Sequence, residues 1–156
     1  MAQNRGKQFE KVIRDCFLKV PHTSVIRLHD QTTGFAGSTN ICDFIVYHFP
    51  NMWCIECKTV HGNTFPLSNI SENQWNGLLL QATKSGVFAG VIIWWVDKDV
   101  TKFIPIQMLQ AMKLKGAKSI RYDVVASSGY YPIELTGKKK RVFFDYDMDA
   151  FFGELF

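Results

Sequence analysis

Three ionisable residues stand inside two apolar segments that read as strands, Asp43 in residues 42–48 and Glu56 with Lys58 in residues 52–60. Side chains alternate along a strand, so Glu56 and Lys58 share one face. A hairpin whose turn is centred between Phe49 and Pro50 places Asp43 directly opposite Glu56. Two opposed carboxylates destabilise a strand pair unless something compensates for their charge. We therefore expect a divalent cation between them.

This arrangement suits metal-assisted phosphodiester hydrolysis. Mg²⁺ takes oxygen ligands and is usually held by one or two carboxylates together with water and substrate phosphate. Lys58 is not a ligand for a hard metal while it is protonated, but it can reach the attacking water or the scissile phosphate. The alternative is an exposed hairpin face on which the three residues are solvated and form a weak ion pair.

The elements that must position these residues follow from the apolar pattern. A helix is predicted from about Asn4 to Lys19, and a Ser71-x-x-Gln74 capping box starts a second helix that ends near Gly86. The remaining predicted elements are strands at 25–28, 87–96 and 102–106, a long loop at 29–40, a short helix ending at Lys115, a strand near 121–125, and a hairpin whose turn holds Gly137 and the basic run from Lys138 to Arg141. We expect one α/β domain with a mixed sheet flanked by helices.

The charge distribution allows a polyanionic partner. The net charge is +4, from 18 basic and 14 acidic residues. Basic residues cluster between Lys102 and Arg121, where there is no acidic residue, and in the run from Lys138 to Arg141. Such clusters are either a solvated surface or a binding surface for nucleic acid. No apolar run approaches a membrane span, and the polar N-terminus is unlike a signal peptide, so we expect a cytoplasmic protein.

The four cysteines are expected to be free thiols. Cys54 and Cys57 form a Cys-x-x-Cys sequence, which can indicate zinc or a redox pair. In a strand, however, these two side chains point to opposite faces and cannot chelate one ion. We therefore expect no zinc site at this position.

The motifs also resemble a known family. Asp43 followed by Glu56-Cys57-Lys58, after a helix that carries Glu10, resembles the PD-(D/E)xK nuclease superfamily. More specific similarity to the RecU-type Holliday junction resolvases comes from five further segments: Asn4-Arg5-Gly6, Thr64-Phe65-Pro66-Leu67, Gln74, Lys118-Ser119-Ile120 and Tyr131-Pro132-Ile133. The resemblance implies a restriction-endonuclease-like core (helix, three strands, helix, strand), a homodimer, and symmetric nicking of four-way DNA junctions supported by Mg²⁺ or Mn²⁺.

The resemblance also implies roles for single residues. Asp43, Glu56 and the backbone carbonyl of Cys57 would bind the metal, and Lys58 would assist the nucleophile. Glu10 and Gln74 would be supporting active-site residues, although the capping box alone explains Gln74. Cys42 departs from the family pattern, which more often has Thr before the Asp. Residues 29–40 would correspond to a shortened form of the family's protruding stalk.

A wider set of residues is predicted to contact DNA. These are Arg5, Lys7, Arg27, His29, Phe35, Thr39, Lys113, Lys115, Lys118, Lys138, Lys139, Lys140 and Arg141. Phe35 is expected to be exposed and to meet DNA bases or a partner subunit. Two alternatives stay open: a PD-(D/E)xK nuclease that acts on duplexes, flaps or ends, and a non-catalytic nucleic-acid-binding module. The host would be a bacterium or a phage-infected bacterium.

Overall fold

The computed structural model describes residues 5–29 and 40–154. Within these ranges the helices are α1 (Arg5–Leu18), α2 (Glu72–Ala82), α3 (Ile106–Leu114) and α4 (Met148–Gly153). The strands are β1 (Ser24–Arg27), β2 (Phe44–His48), β3 (Asn51–Val60), β4 (Thr64–Pro66), β5 (Val87–Trp95), β6 (Val100–Pro105), β7 (Ser119–Arg121), β8 (Ile133–Glu134), β9 (Gly137–Lys139) and β10 (Phe144–Tyr146). Short 3-10 turns follow β4 and β5.

Six strands form one mixed sheet in the order β1-β2-β3-β5-β6-β8. β3 and β5 run parallel, and every other neighbouring pair in this sheet is antiparallel. A parallel pair needs a crossover connection, which α2 provides here. β4 pairs with β7 and β9 pairs with β10 in two small antiparallel sheets. Because β3 and β5 are parallel, their C-terminal ends lie at the same end of the main sheet.

Side-chain alternation along the central strands divides the core between the two faces of the sheet. On one face Trp94 packs among the buried residues of α1 and α4, and on the other Trp95 packs among those of α2 and α3. Both tryptophans are buried, as the continuous apolar run of β5 predicts for a central strand. The fold class predicted from the sequence is therefore confirmed.

The two long helices start and end where the sequence indicates. α1 buries the predicted apolar stripe, including Phe9, Ile13 and Phe17, and ends before Pro21. α2 begins at the predicted capping box, in which Ser71 is the N-cap and Gln74 is the reciprocal partner. The strand predicted near 121–125 lies earlier in the chain, as β7 at Ser119–Arg121, and residues 122–125 are not in a strand. Its partner β4 was not predicted, because it is only three residues long.

Other sequence predictions differ from the structure. Gly137 does not lie in the turn of the predicted hairpin but begins β9, with Lys138 and Lys139, so the turn falls at residues 140–143. Lys102 belongs to the predicted basic cluster, but it lies in β6, is buried, and donates a 3.0 Å hydrogen bond to the Val124 carbonyl. It is therefore a structural residue and does not contribute to a DNA-binding surface. Phe35 and Thr39, both predicted to contact DNA, lie outside the described residues.

Candidate active site

The β2–β3 hairpin brings Asp43 and Glu56 to one end of the sheet. Residues 44–48 pair with residues 51–55 in the predicted register, around a turn at Phe49 and Pro50. One step further the ladder slips, because the Asp43 N–H donates to the Ile55 carbonyl at 3.0 Å. Two residues of one strand then oppose one residue of the other, which is a β-bulge. Asp43 therefore does not lie directly opposite Glu56, as was predicted, but is displaced from that position by one residue.

The bulge directs the Asp43 carboxylate toward the β3 backbone. Asp43 Oδ2 accepts a 2.8 Å hydrogen bond from the Cys57 N–H. The N–H and C=O of one strand residue point to the same side, so the Cys57 carbonyl also faces the side on which β2 has ended. Two oxygen ligands of the predicted metal site therefore lie on the same edge of β3.

Glu56 is a buried carboxylate beside a second negative charge. Its residue is 4% exposed. Burial first, and the nearby Asp43 charge second, raise its pKa to about 8, while Lys58 and Gln74 act in the opposite direction. Among the described residues Glu56 Oε1 has no hydrogen-bond partner, although it is inaccessible to solvent. A buried carboxylate oxygen without a partner is costly and is the kind of atom that a cation would satisfy.

Lys58 lies on the same face as Glu56, as strand alternation predicts. Its Nζ is 3.3 Å from Glu56 Oε2, and a quarter of its side chain is exposed. The ammonium group thus partly neutralises the carboxylate and keeps an open side. This position allows it to approach a substrate phosphate or an attacking water.

Gln74 combines the two roles that the sequence suggested for it. Its Oε1 accepts a 3.1 Å hydrogen bond from the Ser71 N–H, which completes the capping box. Its Nε2 donates a 2.8 Å hydrogen bond to Glu56 Oε2. The first turn of α2 is therefore attached directly to the candidate metal ligand.

Glu10 is held by two arginines. Its Oε1 accepts a 3.2 Å hydrogen bond from Arg27 Nε and lies 3.7 Å from Arg14 Nε. The glutamate side chain is 12% exposed, and the two arginine side chains are 33% and 23% exposed. Because two cations already compensate its charge, Glu10 is placed to orient Arg27 more than to bind a metal.

Arg14 is not among the site residues predicted from the sequence, but in the structure it lies beside Glu10. Its Nε is buried and has no hydrogen-bond partner within residues 5–29 and 40–154. It lies 3.7 Å from Glu10 Oε1, which is too long for a hydrogen bond. The signal was present in the sequence, because a Glu and an Arg four residues apart on a helix are neighbours.

The oxygen atoms at this site fit a hard cation whose coordination is completed by water. In the described part of the chain, no three His, Cys, Asp or Glu side chains converge on one point that could hold a metal ion. A cation between Asp43 and Glu56 would take oxygen ligands from these two carboxylates, from the Cys57 carbonyl and from water. This set is typical of Mg²⁺ or Mn²⁺ and unlike a closed structural zinc site.

The cysteines near the site do not form a metal or redox pair through Cys-x-x-Cys. Cys54 packs on the α2 side of the sheet with Cys42, whereas Cys57 packs on the α1 side. A hydrogen bond with Cys54, and then burial, raise the pKa of the Cys42 thiol. Burial likewise raises the pKa of Cys57. Both thiols are therefore protonated at neutral pH.

Predicted DNA-binding residues surround the same end of the sheet on the β1 and α1 side. Arg27 ends β1, and its Nη1 lies 3.1 Å from His29 Nδ1. The guanidinium of Arg5 lies 5.9 Å from the centre of the Trp94 ring, near the end of β5. Lys7 is exposed one turn into α1. Arg27 pairs with Phe44, the residue after Asp43, and Trp94 pairs with Thr59, the residue after Lys58, so Arg27 and Arg5 lie at the end of the sheet that carries the site.

The other predicted basic residues lie on two exposed segments. Lys113, Lys115 and Lys118 surround the end of α3, where Lys113 Nζ is 4.6 Å from the centre of the Trp75 ring and Lys115 Nζ bonds Ser128 Oγ at 2.9 Å. The run Lys138, Lys139, Lys140 and Arg141 forms β9 and the following turn, and all four residues are exposed. Lys139 Nζ bonds Asp99 at 2.9 and 3.0 Å, which fixes β9 beside the turn after β5.

Comparison with known proteins agrees with this architecture. The structure is similar to that of Hjc from Archaeoglobus fulgidus, a Holliday junction resolvase from an archaeal hyperthermophile, with a TM-score of 0.54 and 21% sequence identity. The similarity covers 74% of this chain and 88% of Hjc, and at this identity it shows a shared fold. No curated protein sequence matches the chain. None of the helices within the described ranges is long and apolar enough to cross a membrane.

The sequence itself identifies the family. The model of the family described as "RecU: Recombination protein U" matches residues 16–146, which include Asp43, Glu56, Lys58 and Gln74. The match begins after Glu10 and Arg14, so it does not include these two residues. It covers most of the chain, and the chain belongs to the RecU family.

Proposed function

We propose that this protein is a metal-dependent endonuclease that resolves four-way DNA junctions by symmetric nicking. The observation that carries the proposal is the buried Glu56 carboxylate, which lies beside Asp43 and Lys58 and has one oxygen without a hydrogen-bond partner among the described residues. In a member of the RecU family, this arrangement is best explained as a cation site for phosphodiester hydrolysis.

In this proposal Asp43, Glu56 and the Cys57 carbonyl hold Mg²⁺ or Mn²⁺. The Cys57 N–H fixes the Asp43 carboxylate, and Gln74 fixes the Glu56 carboxylate. When bound, a divalent cation supplies neutralising charge at the phosphate and a lower pKa for water. Lys58 contributes a further positive charge and orients the attacking water or the scissile phosphate.

Arg27 has a supporting role. Glu10 holds its guanidinium at the end of β1, next to the strand that leads from Asp43. An arginine fixed in this way presents a planar set of donors that suits a phosphate. Glu10 then acts as a positioning residue for Arg27.

We propose that the protein recognises a four-way junction through the two-fold symmetry and the phosphate charge of the DNA. A two-fold dimer would present two active sites to two strands of like polarity, which matches the symmetry of a four-way junction. The exposed basic residues at the end of α3 and in the β9–β10 hairpin would contact phosphates on the arms. Binding should therefore weaken steeply as salt concentration rises.

The test compares one labelled four-way junction with a linear duplex that has the sequence of its arms, each with EDTA, Mg²⁺ or Mn²⁺. We expect paired nicks in the junction, only with metal, and little cutting of the duplex. Equal cutting of both substrates would replace junction resolution with a general nuclease activity. Intact DNA under every condition would leave a binding module and overturn the proposal. Sedimentation of the protein with and without the junction measures the dimer separately.

A further inference from the structure

The segment that delivers Asp43 has no regular secondary structure of its own. Residues 40–43 lie in neither helix nor strand. At its start, Asn40 Nδ2 donates a 2.7 Å hydrogen bond to the His29 carbonyl. At its end, the Asp43 carbonyl accepts a 2.9 Å hydrogen bond from the Leu28 N–H. Between these anchors, the position of the segment depends on side-chain packing.

Ile41 packs directly on the backbone of α2, at Gly77. A Cβ built on Gly77 would overlap Ile41 Cγ2 and would lie 2.6 Å from Ile41 Cβ. Real Cβ atoms do not approach so closely. Ile41 is branched at Cβ and stiff about χ1, so a rotation of its side chain does not relieve the overlap.

This contact explains a glycine in the interior of a helix. Glycine there costs roughly 1 kcal/mol relative to alanine. By contrast, a Cβ added to Gly153, at the end of α4, would meet nothing within 4 Å. The unfavourable residue in α2 is therefore associated with close approach of the segment before Asp43.

Gly77 follows Gln74 by three residues, so the two lie on adjacent parts of the helix surface. Gln74 bonds Glu56, and Gly77 receives Ile41, two residues before Asp43. One helix thus contacts Glu56 directly through Gln74 and contacts the segment before Asp43 through Gly77.

We propose that Gly77 is a positioning residue that lets α2 set the Asp43 carboxylate relative to Glu56. The absence of a side chain at this position allows Ile41 to sit against α2 and holds the 40–43 segment so that Asp43 can accept from the Cys57 N–H. The importance of this arrangement for metal binding and cleavage rests on the proposed function. The placement of Asp43 itself can be tested without metal or DNA.

The first measurement is amide hydrogen exchange of the metal-free protein by NMR. In Gly77→Ala we expect the Cys57 N–H to exchange at least about tenfold faster than in the parent, while amides in the centre of β5 keep their protection. Gly153→Ala is the matched control and should leave exchange at Cys57 unchanged. Parent-like exchange at Cys57 in folded Gly77→Ala overturns the proposal.

A second variant covers the case in which Gly77→Ala does not fold. Ile41→Ala introduces no overlap but removes the atoms that pack on Gly77, so it too should accelerate exchange at Cys57. If Ile41→Ala exchanges like the parent, the packing of Ile41 on α2 does not position Asp43 and the proposal fails.

Calorimetric titration with Mn²⁺ then tests whether the position of Asp43 affects metal affinity. We expect binding about tenfold weaker in Gly77→Ala than in Gly153→Ala. Unchanged Mn²⁺ affinity together with faster exchange at Cys57 would contradict the claim that the placement of Asp43 by Gly77 matters for metal binding. If the parent cuts no junction, the proposed function fails, while the exchange experiment still decides the role of Gly77.

Discussion

The Gln74 side-chain amide donates a 2.8 Å hydrogen bond to the Glu56 carboxylate, while the oxygen of the same amide accepts from the N-cap of α2. One side chain, that of Gln74, therefore both caps α2 and influences the ionisation of Glu56, a candidate metal ligand. A glutamate at position 74 could keep the cap, because Glu is the other usual residue at this place in a capping box. It could not donate to Glu56.

Gln74→Glu should separate these two roles. The second carboxylate next to Glu56 should raise the pKa of Glu56 further and weaken metal binding at neutral pH. We expect cleavage at pH 7 to fall roughly tenfold or more and to recover as the pH rises, with only a small change in melting temperature. A pH–rate profile beside a thermal melt measures both effects. A large loss of stability with an unshifted profile would assign Gln74 to the helix cap alone.

Glu56→Gln should stabilise the metal-free protein at high pH. The pKa of Glu56 is raised to about 8, so the folded state holds a proton that the unfolded state has lost, at pH values between its ordinary pKa of 4.5 and 8. Stability therefore falls as pH rises through this window, and the glutamine variant avoids the fall. We expect an advantage on the order of 1–3 kcal/mol at pH 9 that disappears near pH 4.

Urea unfolding with EDTA at pH 4, 6 and 9 measures this advantage, and Glu154→Gln on the exposed surface is the control. An advantage that does not change with pH would mean that Glu56 ionises normally in the folded protein.

Asp43→Asn, Glu56→Gln and Lys58→Ala should each lower junction cleavage at least about 100-fold. Junction affinity in EDTA should stay within about threefold of the parent, because none of the three residues is assigned to phosphate contacts on the arms. Lys58→Arg retains a positive charge and should keep more activity than Lys58→Ala. Gel-based cleavage and binding assays on the same junction measure this, and full activity in any of the first three variants would remove that residue from the site.

Glu10→Gln should destabilise the fold by roughly 1–3 kcal/mol, since Arg14 then loses the carboxylate next to its buried Nε. Asp15→Asn is a control in the same helix, because it breaks the exposed Lys11–Asp15 pair and should cost at most about 0.5 kcal/mol. Replacing Arg14 by Met in the Glu10→Gln background should recover part of the loss. Denaturant unfolding of the four proteins tests this, and equal costs for the two single variants would argue against a partly buried network.

Lys138→Gln, Lys140→Gln and Arg141→Gln should each weaken junction binding and lower the slope of log K against log salt by about 1. Lys84→Gln is the control, because Lys84 follows α2 at the opposite end of the sheet, next to the start of β5. A salt titration of junction binding gives the slopes. If the control changes the slope as much as the other three, the β9–β10 hairpin is not a specific contact surface.

The features predicted correctly from the sequence are those that depend on neighbouring residues. Strand alternation predicted the shared face of Glu56 and Lys58, and a four-residue motif predicted the start of α2. The slip at Asp43 was beyond sequence reasoning, because it depends on how residues 40–43 pack on α2 after the chain has folded. The pairing of Glu10 with Arg27 joins residues from different elements, and the burial of Lys102 depends on the distant Val124 carbonyl. Neither leaves a local pattern.

The hairpin register has a consequence for changes in chain length. The turn at Phe49 and Pro50 is six residues from both Asp43 and Glu56, and Phe49 is exposed. Surface turns usually tolerate insertions well. Here a single inserted residue that shifted the pairing of β3 would exchange its two faces, and Glu56 and Lys58 would turn from α2 toward the aromatic core under α1. The length of this distant turn is therefore as much a requirement of the active site as the identity of its carboxylates.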